Sequence, residues 1–267
     1  MPKYNKKQII RNRIIAIGAL AGIILIIVVA CVSCGGGGGK KYTESGPMPA
    51  DGSTTILTPQ SVYNYGAAVP QSASVGDDYF STAVFIGESN IGGMRLYTTA
   101  VPSAAVYYSD SASVASGMGQ SLSGETPLTI TEIMAQKAYS DIYLQFGLNE
   151  LGFNSKSAFY DYYATLLDEI IKAQPNARIY LLSVLPVSKE VDAAGVYTIA
   201  GVKQYNDYIL QLAKEKKLFY VDIANPFTDS TGYLKDECSV NGLVIKTSCY
   251  TEWQSYIYTH TAPSYLK

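Results

Sequence analysis

The chain has 267 residues, with 20 Lys and Arg against 22 Asp and Glu and a single His. That length accommodates one α/β domain with a sizeable core plus appended segments, and the near-neutral balance lacks the basic footprint of a nucleic-acid binder. His260 and four cysteines in two sequence pairs offer no convincing metal-ligand spacing, so neither a metal nor another cofactor is expected.

Residues 1–13 form a basic segment carrying Lys3, Lys6, Lys7, Arg11 and Arg13. An uncharged apolar run follows over residues 14–34, and its 21 residues are enough to span a bilayer core. Basic residues before the run predict a cytoplasmic N-terminus and an extracellular remainder. The alternative is a lipoprotein signal, because Val28-Val29-Ala30-Cys31 resembles a lipobox with Cys31 as the modified residue. Residues 35–76 read as a flexible linker, with five consecutive glycines and then Pro, Ser, Thr and Ala without helical or strand period. Beyond the first 34 residues there are 15 basic and 22 acidic residues, a net charge of −7.

From residue 77 to 267 the signals alternate between strand and helix. Thr82–Ile86 is a buried strand candidate stopped by Gly87, with Ser89 opening a helical segment. Ala104–Tyr108 is a second strand and Thr129–Ala138 a helix. Asp141–Phe146 is a third strand, again stopped by a glycine. Lys156–Ala173 keeps Phe159, Tyr163, Leu166, Leu167 and Ile170 largely on one helical face. Arg178–Val184, a helix over Ile199–Lys217, a strand over Leu218–Ile223 and a closing helix around Trp253 complete the pattern. Short apolar strands alternating with helices predict a parallel sheet covered on both faces, with Thr82–Ile86 at its centre.

Three segments then resemble, in order, the conserved blocks of the SGNH or GDSL-type hydrolase superfamily. Phe85-Ile86-Gly87-Glu88-Ser89 is similar to the Gly-Asp-Ser block carrying the nucleophile. Phe146-Gly147-Leu148-Asn149-Glu150 is similar to the Gly-x-Asn-Asp block. Asn241-Gly242-Leu243-Val244 occupies the place of the Asp-x-x-His block. The resemblance implies a flavodoxin-like three-layer α/β/α fold with a five-stranded parallel sheet, here behind an N-terminal transmembrane helix. It also implies serine-ester chemistry: Ser89 as nucleophile, with the Ser89 N–H, the Asn149 side chain and a second-block N–H as oxyanion donors. At the second block Ser111 stands where the family has Gly, with Gly117 as the alternative register.

The departures from the family pattern weigh against efficient hydrolysis. Asn241 stands in the place of the orienting Asp and Val244 in the place of the general base, and valine accepts no proton. His260, 16 residues further on, reads as an exposed terminal residue rather than a substitute. Two functions follow as expectations. One is a weak or inactive hydrolase binding an envelope glycan or acylated carbohydrate, with the abundant Tyr rings available to stack on sugars. The other is an active esterase or O-acyltransferase using another base. Cys238 and Cys249 flank the Asn241–Val244 segment, either as a disulfide holding this loop over the cleft or as two free thiols.

Overall fold

The computed structural model describes residues 63–97, 101–152 and 156–266. The basic segment, the apolar run with Cys31 and the linker up to residue 62 lie outside the described residues. None of the described helices is long and apolar enough to cross a membrane.

The strands are β1 (Ala83–Gly87), β2 (Ala105–Tyr108), β3 (Ser121–Leu122), β4 (Leu128–Thr129), β5 (Asp141–Gln145), β6 (Arg178–Leu182) and β7 (Phe219–Val221). The helices are α1 (Ser89–Tyr97), α2 (Ile130–Gln136), α3 (Lys156–Ala173), α4 (Lys189–Ala193), α5 (Ile199–Lys216) and α6 (Tyr250–Thr259). Five strands pair in parallel in the order β2-β1-β5-β6-β7, while β3 and β4 form a small antiparallel ribbon. The α/β fold expected from the alternating pattern is therefore present. The central strand is β5, however, not the Thr82–Ile86 segment. The chain leaves β1 for β2 on one side and then crosses back to β5 on the other, which puts β1 second in the order. Strand pattern alone reads which segments are strands but not on which side each crossover lands.

Side-chain alternation builds the three layers. Val84, Ile86, Ile142, Leu144, Ile179 and Leu181 share one buried cluster with Phe159, Leu166 and Ile209 of α3 and α5. Ala83, Phe85, Tyr143, Tyr180, Phe219 and Val221 face the opposite way, among Ile91 of α1 and Trp253 and Ile257 of α6. Phe85, Tyr143, Tyr180 and Phe219 occupy paired positions on successive strands. Their rings form a ladder across the sheet, with centroid separations of 4.3, 4.3 and 5.1 Å. Aromatic contacts of this kind add to the stabilisation from area burial. Helix α2 begins at the capping box formed by Thr129 and Glu132.

The folded unit begins before residue 77. Val69 N–H donates to Tyr220 O at 2.8 Å, Ser72 N–H to Thr259 O at 2.7 Å and Val75 N–H to Tyr258 O at 3.0 Å. A Pro- and Ala-rich stretch with no period thus covers the open edge of β7 and the end of α6, using backbone groups that composition does not reveal.

At the opposite end of the sheet from the loops described below, the Asp141 carboxylate is fully buried. It receives the Arg178 guanidinium through Nε at 2.7 Å and Nη2 at 2.9 Å. The Tyr79 hydroxyl donates to the same carboxylate at 3.4 Å. Removing one partner of a buried pair strands the other charge, so Asp141→Ala is expected to cost about 3 kcal/mol in denaturant unfolding. An unchanged unfolding midpoint would show that the pair contributes nothing net.

Candidate active site

In an open parallel sheet, ligands bind beyond the C-terminal strand ends where the strand order reverses. Here that point lies between β1 and β5. The two strands approach so closely that a Cβ on Gly87 would sit 2.4 Å from the Gln145 carbonyl oxygen. Ser89 follows β1 and opens α1; Asn149 follows β5 in a 3₁₀ turn over Asn149–Gly152. Both stand at the same edge of the sheet, as their positions after strand-ending glycines predicted.

Ser89 is half-buried and lines a cleft of ≈ 430 Å³. Gly92, Gly93 and Leu96 continue its wall along α1. Tyr108 and Asp110 come from the end of β2, and Val240, Asn241, Val244, Ile245, Thr247 and Tyr250 form the far side. Gly93 has no room for a side chain, since a Cβ there would meet the Tyr250 hydroxyl at 2.0 Å. Among the described residues the Ser89 hydroxyl has no hydrogen-bond partner.

The far wall is built by local polar ties. Asn241 Oδ1 accepts the N–H groups of Leu243 and Val244, each at 3.1 Å. Gly242, at φ 81°, donates its N–H to Ser239 Oγ at 2.8 Å. The loop is also fixed to α1 through Asn90. Its Oδ1 accepts Ile245 N–H at 3.2 Å, and its carbonyl accepts the Tyr250 hydroxyl at 2.8 Å. Cys238 and Cys249 are bonded to each other, with Cα atoms 5.8 Å apart, and both are buried. Of the two possibilities left by the sequence, the bridge is the one formed.

The other candidate donors are engaged elsewhere. Asn149 Nδ2 donates to Asp110 O at 3.0 Å and to Ala112 O at 2.8 Å, which accounts for both of its amide hydrogens. Ser111 is exposed, and its N–H donates to Ser109 Oγ at 3.3 Å. Neither residue belongs to the cleft lining, although Asp110, which Asn149 holds, does. Gly117 adopts φ 56° in the following 3₁₀ segment and likewise lies outside the lining.

His260 is not exposed as its terminal position suggested. It is buried, its ring stacks on Tyr256 at 3.7 Å between centroids, and its Nδ1 lies 2.8 Å from Tyr256 O. It caps the end of α6 and lies outside the cleft lining. Sequence reading also missed the role of Glu88. This side chain is buried, and its carboxylate accepts the N–H groups of Gly147, Leu148 and Asn149 at 3.0–3.1 Å. The signal was an acidic residue one position before Ser89, whose side chain reaches into the neighbouring loop. Among the described residues no group of three or more His, Cys, Asp and Glu side chains could hold a metal.

The GDSL-like lipase/acylhydrolase family matches residues 86–243, from the end of β1 to the loop that carries Val244. The chain belongs to this family. No curated protein matches it. Among solved structures it is similar to a candidate platelet activating factor from Streptococcus pneumonia, at TM-score 0.53 and 18% identity, covering 66% of this chain and 81% of that one. It is also similar to a candidate acylhydrolase from Bacteroides fragilis, at TM-score 0.52 and 13% identity, covering 72% and 89%. A third is a candidate SGNH hydrolase from Slackia heliotrinireducens, at TM-score 0.50 and 14% identity, covering 67% and 98%. At such identities the likeness is one of fold, and it agrees with the three blocks that suggested the family.

The bridge closes a short loop around residues 239–248, which in the chain-entropy relation is worth about 3 kcal/mol. Cys238→Ser with Cys249→Ser is therefore expected to lower the unfolding free energy by about that amount. Denaturant titration of the oxidised protein beside the double variant measures it, and equal midpoints would show that the bridge merely joins residues already held.

Proposed function

We propose that this protein is a surface-anchored SGNH-type domain that binds a ligand in the Ser89 cleft and hydrolyses esters poorly. The observation that carries the reading is the pairing of Ser89 with Val244 across one cleft, with the Ser89 hydroxyl lacking any partner among the described residues. A serine hydroxyl needs a neighbouring base to become a nucleophile at neutral pH. In a serine hydrolase of another fold, loss of the base costs about 10⁶ in turnover. Asn241 supports the reading as well, because its side-chain oxygen is occupied by its own loop's backbone rather than orienting a base. The oxyanion donors assigned to Asn149 and Ser111 would have to leave their present carbonyl and hydroxyl partners to serve a substrate.

The ligand we assign is an envelope glycan or acylated carbohydrate. The apolar run over residues 14–34, with its basic flank, supports a single-pass anchor facing the domain outward, and the glycine-rich segment supports a spacer. Lipid attachment at Cys31 is the alternative anchor, distinguished by the mass of the mature chain.

A second reading is favoured by one observation: Asp110 is the sole carboxylate in the cleft lining among the described residues. In that reading Asp110 is the base of a slow esterase. The test is ester turnover by the full chain in detergent. Wild type is expected near background, unchanged by Ser89→Ala, while Asn241→Asp with Val244→His is expected to raise turnover at least tenfold. Rapid wild-type turnover abolished by both Ser89→Ala and Asp110→Asn would overturn the first reading in favour of the second.

A further inference from the structure

Two buried carboxyl groups lie behind the cleft and touch no reacting atom. Glu88, between β1 and Ser89, is 3% exposed and Glu150, after Asn149, is 0% exposed. The Glu88 oxygens accept three backbone N–H groups from the turn after β5. Glu150 Oε1 accepts Val114 N–H at 2.7 Å, which fixes the start of the 3₁₀ segment beyond the Asp110 loop. Among the described residues Glu150 Oε2 is buried and makes no regular hydrogen bond. The Glu150 carboxyl group lies beside the Ser113 hydroxyl and the Glu88 carboxyl group.

Two carboxylates side by side, buried with no ion-pair partner among the described residues, repel strongly and lose their hydration. The titratable groups around them do not offset that charge. Tyr163 of α3 is neutral, fully buried and has no partner at its hydroxyl. Tyr205 of α5 donates its hydroxyl to the Glu150 carbonyl at 2.6 Å. Lys156 of α3 directs its ammonium to Leu151 O and the face of the Tyr205 ring, not to either carboxyl group.

We infer that Glu88 and Glu150 share one proton, forming a carboxyl–carboxylate pair that locks together the β1–α1 turn, the Asn149 turn and the Val114 segment around the cleft. The shared proton supplies the partner that Glu150 Oε2 lacks. The pair acts by positioning: through Asn149 it sets the Asp110 and Ala112 carbonyls, and so the Asp110 wall. The lock stands whether or not the cleft turns over its ligand.

Burial, together with the charge of Glu150, raises Glu88 well above the ordinary carboxylate range, and burial raises Glu150. The unfolded chain releases both protons near the ordinary values while the folded chain retains one. The folded state therefore binds more protons, and stability falls as pH rises. The lock is complete below the unfolded carboxylate pKa and is lost as pH climbs through the raised folded values.

The two amide variants are not equivalent. In Glu150→Gln the new Nε2–H takes the place of the shared proton and Oε1 still accepts from Val114. In Glu88→Gln an NH₂ group meets one of three N–H donors. The test uses the full chain in detergent, with infrared spectra at neutral pH and thermal unfolding from mildly acidic to alkaline pH. Wild type is expected to show the carbonyl band of a buried protonated carboxyl group, absent in Glu150→Gln. Its Tm is expected to fall with pH by roughly 3–5 °C per pH unit through the window, a slope that Glu150→Gln flattens. Glu88→Gln is expected to melt lower than Glu150→Gln throughout. Absence of the protonated band in wild type, or a Glu150→Gln profile parallel to wild type, would overturn the shared proton. Should Glu150→Gln fail to fold, the wild-type infrared band alone decides.

Discussion

The site depends on the parallel pairing of β1 with β5. These strands run from Ala83↔Asp141 to Gly87↔Gln145 in continuous register, and their chain continuations diverge because β1 feeds β2 on one side while β5 feeds β6 on the other. The crevice left at that divergence receives Ser89 from one strand and Asn149 from the other. A side chain at position 87 would push the strands apart at the very point where the two loops must meet. The aromatic ladder of Phe85, Tyr143, Tyr180 and Phe219 and the opposite aliphatic face hold that register, since a one-residue slip would exchange the two faces.

On this frame the cleft is assembled from three chain segments tied by a few directional bonds. Glu88 reaches from the turn before Ser89 into the Asn149 turn. Asn149 reaches on to the carbonyls of Asp110 and Ala112. Asn90 reaches in the other direction, to Ile245 and Tyr250 on the far wall. Glu88 and Asn90, the residues flanking Ser89, thus position opposite walls. The disulfide adds a covalent closure to the far wall, whose residues 239–246 belong to no strand or helix.

The same geometry bears on chemistry. In the reading proposed above, a cleft lined by Ser89 and Val244, with the nearby Asn149 amide held in internal bonds, is ordered for binding more than for proton transfer. Asp110 is the feature that runs against this, and its place on the wall comes from the Asn149 bonds rather than from any contact with Ser89.

Much of this was readable in the chain itself. Alternating apolar strands and amphipathic helices determined the layered α/β fold, because burial of one face or both imposes periods of 2 and 3.6 on the residues. Ser89 and the Asn241–Val244 segment indicated where the cleft would be, since chemistry at strand ends requires particular residue types there. Only the tertiary structure decided that β5 rather than β1 is central, that residues 63–76 cover the edge of β7, and that His260 is buried. It also decided that the cysteines are bridged and that Glu88 and Glu150 are both buried. Each of these rests on which distant segments meet, and a pattern read along the chain records how a segment folds but not what it folds against.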